Sequence, residues 1–108
     1  MAIIKTQPLS VNKCWQGRRF KTPIYESYEW ELFSKLKPME IPKGRISLFI
    51  TFYLSNKLSD IDNPLKPFLD ILQKKYKFND RDIYEMRIVK KIVKKGEEGI
   101  YFDIKAYG

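Results

Sequence analysis

The segment from Ile46 to Leu54 constrains the fold of this chain more than any other part of the sequence. Its apolar side chains occupy every second position and alternate with Ser47, Thr51 and Tyr53. A period of two is typical of a β-strand with one buried face, because successive side chains of a strand point to opposite sides of the sheet. The sequence therefore predicts a sheet that is covered on one face.

Two segments have the spacing of amphipathic helices. The first follows Thr22-Pro23, which combines an N-cap residue with proline at the first helical position, and we expect it to end before Pro38. Its apolar positions are Tyr25, Tyr28, Leu32 and Leu36. The second helix opens at Asn63-Pro64, and its apolar stripe is Leu65, Phe68, Leu69, Leu72 and Tyr76. Both of its prolines, Pro64 and Pro67, fall in the first turn, where a missing amide donor is tolerated.

Three further strands complete the predicted fold. A short apolar stretch from Ala2 to Gln7 indicates the first of them. The other two alternate from Tyr84 to Ile92 and from Ile100 to Ala106, and the turn Lys94 to Gly99 between them predicts a terminal hairpin. The order β-α-β-α-β-β predicts an α+β protein, a mixed sheet with two helices packed on one face. We expect residues 1–108 to form one domain.

Composition narrows the class of partner. The 108 residues contain 21 Lys and Arg against 13 Asp and Glu, a net charge of +8, which favours nucleic acid or an anionic membrane surface as partner. A charge that serves solubility alone is the alternative.

No apolar run reaches the roughly 20 residues that span a bilayer, and no signal peptide is evident, so we expect a cytoplasmic protein. The single cysteine, Cys14, excludes an internal disulfide, and we expect a buried structural thiol.

The sequence contains no histidine, so carboxylates must carry any hydrolytic chemistry. Asp60 and Asp62 are two residues apart in chain that should be extended, which places them on one side, and hard oxygen ligands suit Mg²⁺ or Mn²⁺. Lys66 follows about one turn into the helix, where its ammonium group could contact a phosphate.

A structural interpretation of the same residues remains open. Asp62 or Asn63 could cap the helix while Lys66 is solvated, and Asn79-Asp80 could form only a turn. The second acidic cluster, Asp80-Arg81-Asp82, favours the functional interpretation because one helix separates it from the first cluster. We expect Asp70 to form an ion pair with Lys66 rather than to bind metal.

These residues resemble the RusA-type Holliday junction resolvases, small endodeoxyribonucleases of bacteria and their phages. The resemblance is carried by the run Asp60 to Pro67, by Leu69 to Leu72, by Asp80, and by Pro8 to Asn12 with Trp15. It implies that Asp60, Asp62 and Asp80 serve the metal site and that Lys66 is essential for cleavage. It also implies metal-dependent hydrolysis of DNA by paired symmetric nicks across a four-way junction, in recombination and repair.

The chain departs from the family pattern at two positions. Many members have two adjacent aspartates where this chain has Asn79-Asp80, which leaves open how many carboxylates bind the metal. A basic residue often precedes the first aspartate of the motif, where this chain has Ser59. The DNA contact that a basic residue would make at this position is therefore in question for Ser59.

Basic residues supply candidates for phosphate contact. The nucleic-acid-binding candidates are Lys13, Arg18, Arg19, Lys21, Lys74, Lys75 and Lys77, and a wider set adds Lys90, Lys91, Lys94 and Lys95. Contacts of this kind recognise the path of the backbone with little sequence information.

The helix between the two acidic clusters bears on assembly. From Pro64 to Lys75 it should be about 18 Å long, and the segment from Tyr76 to Asp80 could return only about 15 Å if fully extended. Antiparallel pairing of two such helices in a dimer would bring Asp60 and Asp62 of one copy beside Asp80 of the other. The resemblance agrees, since family members are dimers whose metal binding depends on dimer formation.

The sequence thus predicts a homodimeric endonuclease for branched DNA that uses Mg²⁺, with Mn²⁺ as a substitute, and needs neither a small-molecule cofactor nor a membrane. A non-catalytic nucleic-acid-binding protein is the alternative from another class. A metal nuclease acting on RNA or flaps is the third interpretation.

Overall fold

Strand β4 is the centre of the sheet in the computed structural model, which describes residues 3–17 and 20–108. The strands are β1 (Ile4–Lys5), β2 (Trp15–Gln16), β3 (Phe20–Lys21), β4 (Ile46–Leu54), β5 (Ile83–Ile92) and β6 (Gly99–Ala106). The helices are α1 (Pro23–Lys35) and α2 (Leu65–Tyr76), and short 3₁₀ turns lie at Val11–Lys13 and Asp80–Asp82.

Four strands form a mixed sheet in the order β1-β6-β4-β5. β5 runs parallel to β4, from Ile83 beside Ile46 to Ile92 beside Leu54, whereas β6 is antiparallel to β4 and to β1. A parallel neighbour requires a crossover connection, which α2 provides between β4 and β5. The α+β prediction is confirmed.

The predicted terminal hairpin is wrong. β5 and β6 are consecutive in the chain but do not pair, because β4 lies between them. The connection passes over the end of β4, where the Val93 amide donates to the Leu54 carbonyl at 2.8 Å. This arrangement gives β6 two hydrogen-bonded neighbours and buries Ile100, Phe102 and Ile104. β5 is left as an edge strand.

Both helices belong to one core on a single face of the sheet. Phe68 of α2 has no exposed surface, and its ring meets Phe52 of β4 and Phe102 of β6 edge to face, with centroids 5.9 and 5.7 Å away. α1 contributes Tyr28 and Leu32 to the same core. Its predicted cap is confirmed, since the Thr22 hydroxyl accepts the Tyr25 amide at 3.2 Å.

The start of the chain is more structured than the sequence indicates. The first predicted strand is limited to Ile4–Lys5, and Ala2 lies outside the described residues. The paired strands β2 and β3 were not predicted. Cys14 is fully buried, as expected, and burial raises the pKa of its thiol. In the two described ranges, no helix is long and apolar enough to cross a membrane.

The aromatic centre of the core generates a prediction of stability. Phe68→Ala should lower the free energy of unfolding by about 3–5 kcal/mol, because it removes a buried ring that Phe52 and Phe102 contact. Urea denaturation at a fixed protein concentration measures the change. Phe20→Ala is the matched control, because this ring is 73% exposed and its loss should change stability by less than about 0.5 kcal/mol. Equal effects of the two substitutions would contradict the described packing.

Candidate metal centre and nucleic-acid interface

Asp60 and Asp62 lie in the connection that leads from β4 into α2, and both are exposed. Their backbone carbonyls build the turn, since Asp60 accepts the Asn63 amide at 3.2 Å and Asp62 accepts the Leu65 amide at 3.1 Å. The Asn63 carbonyl in turn accepts the Val11 amide at 2.8 Å. The acidic turn is thereby tied to the segment Pro8 to Asn12.

The entrance of α2 does not use Asp62 or Asn63 as a side-chain cap. The helix begins at Leu65, one residue later than predicted, and Pro64 occupies the N-cap position without a side-chain hydrogen bond. The capping interpretation of the motif is therefore not realised. Both carboxylates are exposed, so a cation from solvent can reach their oxygens.

Lys66 forms the expected ion pair with Asp70. The ammonium lies 3.2 Å from the Asp70 carboxylate, four residues further along α2, and 61% of the Lys66 side chain is exposed. An exposed pair of this kind contributes little to stability. The pair does keep the Lys66 ammonium on the side of α2 that carries Asp70, about one turn from Asp62.

Asp80 lies at the opposite end of α2. Its amide donates to the side chain of Gln73 at 3.0 Å, and the Asn79 side chain caps the 3₁₀ turn by accepting the Arg81 amide at 3.0 Å. The turn interpretation of Asn79 is thus realised, while the Asp80 side chain stays exposed. α2 has twelve residues and is about 18 Å long. Asp80 is not brought to Asp60 and Asp62 within one chain.

No group of side chains that could hold a metal forms within the described part of the chain. Residues 3–17 and 20–108 contain no group of three or more Asp, Glu, Cys or His side chains that could hold an ion. Asp60 and Asp62 provide two carboxylates of a type that Mg²⁺ accepts. Further oxygen ligands would have to come from water, substrate or a second subunit.

The turn before Asp60 is fixed by contacts that the sequence analysis missed. Lys90 of β5 donates from its ammonium to the carbonyls of Ser59 at 2.7 Å and Lys57 at 3.2 Å. The Asn56 side chain accepts the Leu58 amide at 2.9 Å, and its carbonyl accepts the Ser59 amide at 3.2 Å. Asparagine is a recognisable turn residue. No local pattern could have identified Lys90, which lies 31 residues from Ser59.

Several nucleic-acid-binding candidates already have partners. Lys21 and Lys74 both pair with Glu29 at 2.7 Å. Burial acts to raise the pKa of Glu29, but hydrogen bonds from the two lysines outweigh it and leave the pKa below its usual value. Lys75 donates to the Phe33 carbonyl at 3.1 Å. Lys21 and Lys74 therefore present less available charge than the sequence suggests, and Lys75 is held by the backbone of α1.

The remaining candidates differ in how they are placed. Lys13 and Lys77 are exposed, and Lys77 ends α2 in the left-handed conformation, with φ of 61°. Arg18 and Arg19, two of the first choices for phosphate contact, lie outside the described residues. Their predicted role stays a prediction.

Comparison with known proteins identifies a relative of this chain. The chain is 38% identical to the crossover junction endodeoxyribonuclease RusA of Aquifex aeolicus (strain VF5) over 97 residues, which cover 84% of this chain and 75% of that relative. No family model matches the chain. Identity at this level over most of both sequences is sufficient to assign the family. The chain belongs to the RusA family of crossover junction endodeoxyribonucleases.

Proposed function

We propose that this protein is a Mg²⁺-dependent endodeoxyribonuclease that resolves Holliday junctions by paired, symmetric hydrolysis of phosphodiesters in DNA recombination and repair. The observation that carries the proposal is the exposed pair Asp60 and Asp62 at an uncapped helix entrance, in a chain similar to a crossover junction endodeoxyribonuclease. Because its substrate is chromosomal or phage DNA, we place the protein in the bacterial cytoplasm.

The residues divide the chemistry between them. Asp60, Asp62 and Asp80 would hold the ion, Mg²⁺ or Mn²⁺, which when bound supplies Lewis-acid stabilisation of the charge that develops on the phosphate. Lys66 would donate from its ammonium to the attacked phosphate or the leaving oxygen. The ion pair of Lys66 with Asp70, at 3.2 Å, supports this role. Because an exposed ion pair is weak, the Lys66 ammonium can exchange Asp70 for a phosphate oxygen.

A homodimer is supported by the separation of the two acidic clusters and by the surface between them. Met86, Ile88 and Ile92 of β5 are in register with Leu48, Ile50 and Leu54 of β4, so they belong to the sheet face that the helices cover. Yet Met86 is 36% and Ile92 is 49% exposed. A second copy related by a two-fold axis would bury this apolar edge and set α2 against its counterpart.

Two equivalent sites suit the substrate. Resolution of a four-way junction requires nicks in two opposed strands, and a two-fold dimer presents two identical sites to them. Each site would combine Asp60 and Asp62 of one subunit with Asp80 of the other. Exposed basic residues around the sites, Lys13 and Lys77 among them, would contact phosphates, so binding should weaken steeply with added salt.

Replacement of Asp62 tests the activity. Asp62→Asn should reduce cleavage of a synthetic four-way junction in Mg²⁺ at least about 100-fold, since even the loss of a group that orients a metal ligand costs 10–100-fold. Junction binding should persist or improve, because a negative charge near phosphate is removed. Gel assays of cleavage and of binding measure the two effects. Asp103→Asn, the same change in charge on β6, is the matched control and should cleave normally.

The same assay separates the alternatives. A wild-type protein that retards the junction but leaves it intact in Mg²⁺ and Mn²⁺ would be a non-catalytic binder. Preferential cleavage of RNA or flaps would indicate the third interpretation. Loss of both binding and cleavage in Asp62→Asn would make that residue structural.

Substitution on the apolar edge tests the dimer. Met86→Glu should convert the protein to a monomer, because it places a charge in the proposed interface, and it should abolish cleavage together with tight Mn²⁺ binding. Sedimentation velocity and calorimetric titration with Mn²⁺ measure these properties. Trp30→Glu places the same charge at a side chain that is 79% exposed on α1 and should change neither. A monomeric Met86→Glu protein that cleaves junctions at the full rate would refute the shared site.

A further inference from the structure

Leu58 has an unusual position beside the acidic turn. It is 82% exposed, more than any other large hydrophobic side chain in the parts of the chain that the structure describes, and it lies two residues before Asp60. Single exposed apolar residues are common on protein surfaces, so exposure alone decides nothing. What distinguishes Leu58 is the construction of the turn that carries it.

The backbone on both sides of Leu58 is held by a neighbouring strand. The ammonium of Lys90 donates to the carbonyls of Lys57 and Ser59, the residues that flank Leu58, while Asn56 accepts the Leu58 amide. Hydrogen bonds from a charged donor are stronger than neutral ones. The backbone of this turn is thus tied to β5, and Leu58 projects into solvent from an ordered backbone.

An exposed apolar side chain on an ordered turn is suited to binding rather than to stability. Leu58 contributes little to the core because it is mostly exposed. A group that is ordered before binding loses less conformational entropy when a partner covers it, and so binds more tightly. The partner must meet Leu58 at the same time as the phosphate meets Asp60 and Asp62, because only one residue separates Leu58 from Asp60.

We propose that Leu58 is an apolar wedge that packs against the face of an unstacked base at the branch point of the DNA, and that Lys90 is the positioning residue that holds the wedge in place. The inference rests on the proposed function. Apolar side chains inserted between bases must first disrupt stacking, which costs energy in an intact duplex. At a branch point the arms can separate without unpairing bases, so insertion between them costs less than insertion within a duplex, and the wedge would favour branched DNA without reading sequence.

Removal of the wedge is the first test. Binding is measured with Asp62→Asn as the parent protein, which prevents cleavage, on a four-way junction and on a duplex of the same sequence. Leu58→Ala should weaken junction binding about tenfold, as expected for the loss of a buried leucine contact, and leave duplex binding unchanged. The fluorescence of 2-aminopurine at the branch point should change on binding of the parent but not of the Leu58→Ala variant. Trp30→Ala is the control for loss of an exposed apolar group and should behave as the parent does.

Replacement of Lys90 separates a positioning role from a phosphate contact. Lys90→Met keeps the aliphatic stem but removes both hydrogen bonds, so it should weaken junction binding as Leu58→Ala does and spare duplex binding. In a protein that already carries Leu58→Ala, the second substitution should add little, because the two residues act through one contact. If Lys90 instead contacted phosphate, Lys90→Met would weaken junction and duplex binding alike and reduce the salt dependence of both.

The outcomes distinguish this inference from the proposed function. A wild-type protein that neither binds nor cleaves junctions would remove the proposed function. A wild-type protein that cleaves junctions, together with a Leu58→Ala variant that still discriminates junction from duplex as the parent does, would overturn the wedge alone. Leu58 is exposed, so its substitution should leave thermal unfolding unchanged, and this verifies that each variant is folded.

Discussion

The parallel pairing of β4 with β5 is the constraint on which the rest of the structure depends. Parallel neighbours need a crossover, and here the crossover consists of the acidic turn, α2 and the turn at Asp80. Because the crossover starts at the end of one strand and finishes at the start of the next, its two acidic clusters lie at opposite ends of β4. Nine residues of strand separate those ends by about 26 Å. The single chain therefore cannot close a site around both clusters.

This separation accounts for two other features of the surface. Met86 and Ile92 form an exposed apolar edge on β5, on the sheet face that the helices cover. Exposed apolar strand edges favour association with another chain. The edge lies between the two acidic clusters, where an antiparallel partner would both bury it and complete each metal site. Burial of apolar area and assembly of the site would then be the same event, which would make cleavage depend on dimer formation.

Charge is distributed less simply than the net value of +8 suggests. Glu29 neutralises part of the charge of Lys21 and Lys74, and Lys90 is engaged by the backbone of the turn before Asp60. Lysines of this chain thus stabilise local geometry as well as attract phosphate. Selectivity for branched DNA would come from the fixed shape around Asp60, and general attraction from the exposed lysines.

Local patterns predicted what local interactions determine. Alternation located β4, the Thr22 cap located the start of α1, and helical spacing predicted the ion pair of Lys66 with Asp70. The chain at Asp60 and Asp62, expected to be extended, instead forms a turn that leads into α2. The pairing of β5 and β6 was predicted wrongly because both segments alternate, and alternation does not specify a neighbour. The contact of Lys90 with the turn escaped prediction for a similar reason, since it joins residues that are remote in sequence.

Mixed dimers test the central claim, that each site takes Asp62 from one subunit and Asp80 from the other. Asp62→Asn and Asp80→Asn proteins, each inactive alone, are mixed, unfolded and refolded together. In a mixed dimer one site then has all its carboxylates, so we predict that nicking of the junction returns. Asp60→Asn mixed with Asp62→Asn should stay inactive, because both changes affect the same cluster. A mixture of Asp62→Asn and Asp80→Asn that forms mixed dimers yet remains inactive would contradict the account.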